Sequence, residues 1–407
     1  MGIDLSIEYC GVKFPNPYIL AAAPPTDKPD MVRRAFDAGW GGAIIKTMSV
    51  KEEPVSLVYP MMHGLSYRGQ RLMGLENIDL ISEHCVDEWL PEITKIKKEY
   101  PDQVLIASIM ASKKEDWQDL VRRLEDAGID MIECSFSCPH GMPERGMGST
   151  IGQNAELTER TARWVKEAAK NIPVIIKLTP NVTDITIIAE AVRKSGADSV
   201  CAANTVKGLI GFNLDTWSPY PEVNGKSTYG GYSGPAIKPI ALKCVAEIAK
   251  KVEIPITAVG GLWDWRDAVE FLLAGAETVQ SCTAVMAMGY RIIDDLNEGL
   301  ANYLESKELS CVRDLVGKGL ENVMRHEELS REWQVRAFID QDLCIKCDLC
   351  YIACRDGSHQ AIERFDDRSV KVDPDKCVGC GFCPQICPVN CITLQPYEVE
   401  SGEEVSL

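Results

Sequence analysis

Eight short apolar, β-rich runs separated by amphipathic stretches constrain this chain more than any other feature. They cover residues 18–24, 41–47, 104–110, 131–137, 173–179, 199–205, 255–261 and 278–284. Strands that are apolar throughout are buried on both faces, which calls for a parallel sheet covered by helices. Helical patterns fall between them at 116–127, 157–170, 184–195, 236–250 and 265–274. Several close on a small residue and a glycine, as in Ala38-Gly39, Ala127-Gly128, Ser195-Gly196 and Ala274-Gly275, a common stop at helix C-termini. Eight strand–helix units predict an α/β fold, a (β/α)8 TIM barrel. A doubly wound sheet is the competitor, but no run is followed by its G-x-G-x-x-G turn. Residues 3–17 read as a short hairpin under the barrel.

After the last run, residues 291–304 read as a final helix, followed by a charged connector. Two cysteine groups then share one spacing: Cys344, Cys347, Cys350, Cys354, and Cys377, Cys380, Cys383, Cys387, with Pro388 next. C-x2-C-x2-C-x3-C is the run that wraps cubane [4Fe–4S] clusters, three thiolates on one cube and the fourth crossing to the other. The expected sets are therefore Cys344, Cys347, Cys350 and Cys387, and Cys377, Cys380, Cys383 and Cys354. Zinc needs four ligands and does not require two such runs; a disulfide scaffold would be short and secreted. The expected division is a barrel over 1–310, a connector over 311–332 and a ferredoxin-like domain over 333–407. That last domain is too small to bury much apolar surface, so ligation should hold it folded.

The formal net charge of −17 argues against nucleic-acid or anionic-membrane partners, because phosphates repel such a surface. No run approaches 18 apolar residues, and the start shows no secretory signal pattern. Met1-Gly2-Ile3-Asp4-Leu5-Ser6 fits the loose myristoylation pattern, a match short enough to arise by chance. The remaining cysteines are scattered, which suits a reducing cytoplasm.

In a barrel the chemistry lies at the C-terminal ends of the strands. The second run ends in Lys46-Thr47, the fourth in Ser135-Phe136-Ser137-Cys138-Pro139-His140, the fifth in Lys177-Leu178-Thr179 and the sixth in Asn204-Thr205. Gly260-Gly261 after the seventh and Ser281-Cys282-Thr283 after the eighth form the phosphate-binding arrangement common in these barrels. Lys177 can stabilise negative charge at N1–O2 of a reduced flavin; its plainer reading is a buried ion-pair partner. Two lysines, a phosphate site and fused clusters together point to FMN. The stretch 138–154 reads as a Gly- and Met-rich lid. Cys138 at its start can act as general acid and His140 can tune it; both could also be inert loop residues.

These residues carry a resemblance. Ser137-Cys138-Pro139-His140-Gly141-Met142, Leu75-Glu76-Asn77-Ile78-Asp79, Lys177-Leu178-Thr179-Pro180-Asn181, Asn204-Thr205-Val206 and Tyr232-Ser233-Gly234-Pro235 closely resemble the dihydropyrimidine dehydrogenase family. The likeness covers nearly the whole chain and fits best the FMN and iron–sulfur subunit of the two-subunit bacterial NAD-dependent enzyme. It implies reduction of the 5,6 double bond of uracil and thymine, with hydride passing from FMN N5 to C6 and Cys138 protonating C5. It further implies a pyrimidine site of Asn77, Asp79, Ser135, Ser137, Asn204 and Thr205. The FMN site would be Ala22, Lys46, Thr47, Lys177, Ser233, Gly234, Gly260, Gly261, Ser281, Cys282 and Thr283.

Two positions depart from the family pattern. Ser135 stands where the family usually has Asn, so an amide's paired donor and acceptor are lost. Asp79 stands where the mammalian enzyme resembles a Glu. No dinucleotide fingerprint is present, so an external donor is expected. The resemblance implies a second subunit carrying FAD and the NAD(P)H site, in a heterotetramer; free ferredoxin is the other candidate. Competing readings are a dihydroorotate dehydrogenase-like enzyme, a reductase of another unsaturated cyclic amide, and an electron-transfer module with a vestigial barrel.

Overall fold

A computed structural model describes residues 3–53, 55–67, 69–136, 148–357 and 359–397. Ser137, Cys138, His140 and most of the expected lid lie outside the described residues, as does the myristoylation pattern's Gly2. The chain divides between Val323 and Met324 into two compact units.

In the first unit, eight parallel strands close into a barrel: Tyr18–Leu20, Gly42–Met48, Val104–Ile109, Met131–Ser135, Val174–Lys177, Ser199–Ala202, Ile256–Val259 and Thr278–Ser281. Each pairs with the strand before and after it in sequence, and the eighth returns to the first. All their residues are buried, because one face fills the barrel and the other meets the helices. The helices start and stop on local chemistry. Asn154 accepts from the Leu157 amide ahead of Ala155–Ala168, and Asp184 from the Thr186 amide ahead of Ile185–Ser195. Gly196, at φ 86°, ends the latter in a left-handed conformation that disfavours a Cβ.

The hairpin pairs Ile7–Tyr9 with Val12–Phe14. The Tyr9 hydroxyl bonds Ser199 Oγ at the start of the sixth strand, which seats the hairpin under the N-terminal end of the barrel.

Two segments unread in the sequence join at the opposite end. Met62–Tyr67 and Gln70–Asn77, after the second strand, and Val206–Gly208 and Gly230–Ser233, after the sixth, form a four-stranded antiparallel sheet. Its two central strands carry Asn77, opposite Gly231, and Ser233, opposite Leu75. A Cβ at Gly74 would overlap the Tyr232 ring, so the sheet stacks closely there. The helix Val86–Glu99, buried on Val86, Trp89, Ile93 and Ile96, was also unread. Within the stretch expected to be lid, Ser149–Gly152 is a single helical turn.

The second unit pairs Val335–Ile339 with Ile392–Pro396 and Ile362–Arg364 with Val370–Val372, and carries the helices Leu349–Gly357 and Phe382–Ile386. Its small core includes Ala337, Ile339, Ile362, Val370 and Ile392 together with Cys350, Cys383 and Cys391. No described helix is long and apolar enough to cross a membrane.

Candidate active site

A cavity with about 1150 Å³ of unfilled space, partly continuous with solvent, opens at the C-terminal ends of the barrel strands. Every described candidate for cofactor or substrate lines it, from Ala22, Lys46 and Thr47 at the first two strands to Gly260, Gly261, Ser281, Cys282 and Thr283 at the last two. Asn77, Asp79, Ser135, Lys177, Asn204, Thr205, Ser233 and Gly234 complete that set. Sequence reasoning missed Met62 and Leu75, contributed by the antiparallel sheet, and Gln280 and Met286 around the eighth strand.

Both lysines of the cavity are paired. Lys46 Nζ lies 2.9 Å from Asp79 Oδ2 and 3.7 Å from Asp27 Oδ2. Burial pushes the Asp79 carboxyl up, against the pull of the Lys46 ammonium. The other oxygen, Asp79 Oδ1, is buried with no hydrogen-bond partner among the described residues. A buried acceptor left unmade costs about 1–3 kcal/mol, so it suits a ligand donor. Lys177 Nζ lies 3.2 Å from Glu133 Oε1 and 3.4 Å from Gln280 Oε1. Burial pulls this ammonium down, but the groups around it, the Glu133 carboxylate foremost, together outweigh that and hold Lys177 above its ordinary range. The plainer reading of Lys177 as an ion-pair partner and its place in the cavity are thus both true.

The cavity also fits the phosphate end of a nucleotide. Ser281 Oγ is buried without a partner among the described residues. Gly261, at φ 82°, passes so close to the start of helix Lys238–Lys251 that a Cβ would fall 2.7 Å from the Lys238 amide nitrogen. Bare backbone between the seventh and eighth strands is what an approaching phosphate needs. Beside it, Ser233 and Thr283 hydroxyls are 3.0 Å apart.

In the second unit the cysteines ring two further cavities. Cys344, Cys347, Cys350 and Cys387 line one, with Cys391; Cys354, Cys377, Cys380 and Cys383 line the other. Cys350 and Cys354 sit one turn apart on Leu349–Gly357, and Cys387 caps the turn begun at Cys383. Among the described residues no three His, Cys, Asp or Glu side chains converge on a single-metal site.

A barrel with a strand-end cavity and a separate cysteine-ringed unit in one chain define an oxidoreductase that combines a flavin-type barrel with an iron–sulfur domain. The family model for dihydroorotate dehydrogenase matches residues 4–304, and that for a 4Fe-4S dicluster domain matches residues 337–394. The chain is 41% identical to the NAD-dependent dihydropyrimidine dehydrogenase subunit PreA of Escherichia coli, over 98% of each. It is 39% identical to the chloroplastic dihydropyrimidine dehydrogenase (NADP(+)) of Arabidopsis thaliana, over 80% of this chain and 79% of that one. The catalytic subunit of dihydroorotate dehydrogenase B (NAD(+)) from Pyrococcus furiosus is 38% identical, over 77% of this chain and 98% of its own. The crystal structure of DHODH from Eimeria tenella in complex with ferulenol shares the fold at a TM-score of 0.64 and 20% identity, covering 77% of this chain and 88% of that one. The chain belongs to the dihydropyrimidine dehydrogenase family, built on the dihydroorotate dehydrogenase barrel.

Proposed function

We propose that this chain reduces the 5,6 double bond of uracil and thymine, using electrons received from a separate subunit. The observation that carries this reading is the strand-end cavity, where the Asn77 and Asn204 amides, an orphaned carboxylate oxygen and two paired lysines meet. A cyclic amide offers alternating N–H and C=O groups, and Asn77, Asn204, Thr205 and Ser135 supply matching partners. Asp79 Oδ1 takes a ring N–H. Lys177 and Lys46, with Ala22, Thr47, Ser233, Gly234, Gly260, Gly261, Ser281, Cys282 and Thr283, hold FMN. When bound, FMN supplies hydride to C6 of the ring. Cys138 then gives its proton to C5, and His140 tunes that thiol.

Cys344, Cys347, Cys350 and Cys387 hold one [4Fe–4S] cluster, and Cys354, Cys377, Cys380 and Cys383 hold the other. Leu343, Ile345, Val378 and Phe382, each more than half exposed, flank these cysteines and provide apolar surface for a partner. The Escherichia coli relative's designation as a subunit of an NAD-dependent enzyme supports a partner carrying FAD and the NAD(P)H site, in a heterotetramer.

Anaerobic turnover with an artificial reductant tests the reading on uracil, thymine, orotate and a hydantoin ring. Uracil and thymine should be consumed fastest. Preference for orotate would move the chain to dihydroorotate chemistry, and failure on every ring would reduce it to electron transfer. Ser135, 5% exposed, should govern the fit of the ring. Ser135→Asn is expected to lower KM for uracil several-fold with a smaller effect on kcat, because a bidentate contact is worth about 1–2 kcal/mol; an unchanged KM would clear Ser135 of any part in selectivity.

A further inference from the structure

Beneath the cavity, inside the barrel, lies a polar cluster that the reaction as described does not use. Glu133 on the fourth strand is fully buried, and Gln280 on the eighth and Thr257 on the seventh are 1% and 0% exposed. Gln280 Nε2 donates to Glu133 Oε2 at 3.0 Å and lies 3.5 Å from Thr257 Oγ1. Its carbonyl oxygen faces Lys177 Nζ at 3.4 Å, while Glu133 Oε1 faces the same ammonium at 3.2 Å. One amide thus bridges the acid and the base, and fixes both.

A carboxylate with no access to water is costly and persists only where a charge answers it. An ammonium in the same place would lose its proton without a counter-ion. We propose that Glu133, steadied by Gln280, is the positioning residue that keeps Lys177 charged and moderates its field, and thereby sets the reduction potential of the flavin above it. The inference rests on the reading that Lys177 faces bound FMN. The other titratable groups around Lys177 contribute less than Glu133. Cys201 on the sixth strand is held well above the thiol range by burial. Burial likewise pushes Cys282, after the eighth strand, up to about 11. Lys46 is committed to Asp79 at 2.9 Å.

The expected signature is a change in how the FMN midpoint potential depends on pH. With Glu133→Gln, desolvation is no longer opposed and the Lys177 pKa drops. Below that lowered pKa the ammonium stands uncompensated, favours the negative charge of the reduced flavin, and raises the potential above that of the parent. Above it, reduction must take up one more proton, so the potential falls more steeply with pH. The parent protein should show no such break between about pH 6 and 9. Glu133→Asp, which keeps the charge, should restore the parent slope.

Spectroelectrochemical titration of the FMN-loaded protein reads all of this. A parent-like potential and slope in E133Q would overturn the proposal. Lys177→Met separates the underlying reading: it should lower the potential at every pH, and no change there would show that Lys177 does not face the flavin, whatever Glu133 does. If E133Q accumulates only as unfolded protein, Gln280→Met carries the test. It removes the amide that steadies Glu133 against Lys177, so the potential should shift from the parent's, and an unaltered value would sink the idea.

Discussion

Cys138→Ala will slow uracil reduction by about 10²–10⁴-fold, the range a positioned general acid contributes, while FMN stays bound and still accepts electrons from an artificial donor. The argument rests on balance. Adding hydride to C6 leaves charge that must be met by a proton at C5, and Ser135 is the only described residue of the fourth strand that lines the cavity. Ser135 has a hydroxyl too weakly acidic to serve, and Lys46 and Lys177 already answer Asp79 and Glu133. A thiol is the one acid that the sequence places at this strand end, and it can hand a proton to the ring carbon. Stopped-flow measurement of flavin reoxidation by uracil would check it, because this isolates the ring-reducing step from electron supply. A rate within a few-fold of the parent would remove Cys138 from the chemistry.

The barrel was legible because its signal is local. A run such as 131–137 is apolar, short and bounded, and the structure places a strand over Met131–Ser135. The antiparallel sheet over the cavity was not legible. Its strands include Gly64, Gly74, Gly208, Gly230 and Gly231, which weaken the alternating pattern. Its key pairing, Gly231 with Asn77, joins segments far apart in the chain. Residues 86–99 hid their helix behind Pro91 and a charged outer face. The cavity's candidates came from strand-end positions and family likeness, whereas their pairings came only with the fold. Nothing in the spacing of Lys46 and Asp79 announces an ion pair. One signal was present but unused. Glu133 and Gln280 are large polar residues inside strands that are buried throughout, and a polar group so placed must find a partner; here each bonds the other.

Loss of one cluster should cost half the iron and nearly all turnover through the natural donor. Cys354→Ala is the sharpest variant, because Cys354 lies in the first cysteine run yet lines the cavity of the second. Iron should fall from about eight to about four per chain, and the remaining cluster signal should match that of Cys380→Ala. Combining the two substitutions should remove no more iron than either alone, since both empty the same site. Joining Cys354→Ala with Cys347→Ala should strip all of it. Such non-additivity is the test of whether two side chains serve one unit. Turnover driven through the partner should drop to background in every case, while an artificial reductant acting on the barrel should still support uracil reduction. If Cys354→Ala and Cys380→Ala together lose all the iron, while Cys354→Ala and Cys347→Ala lose half, the fourth cysteine serves its own run and the exchange between runs is wrong.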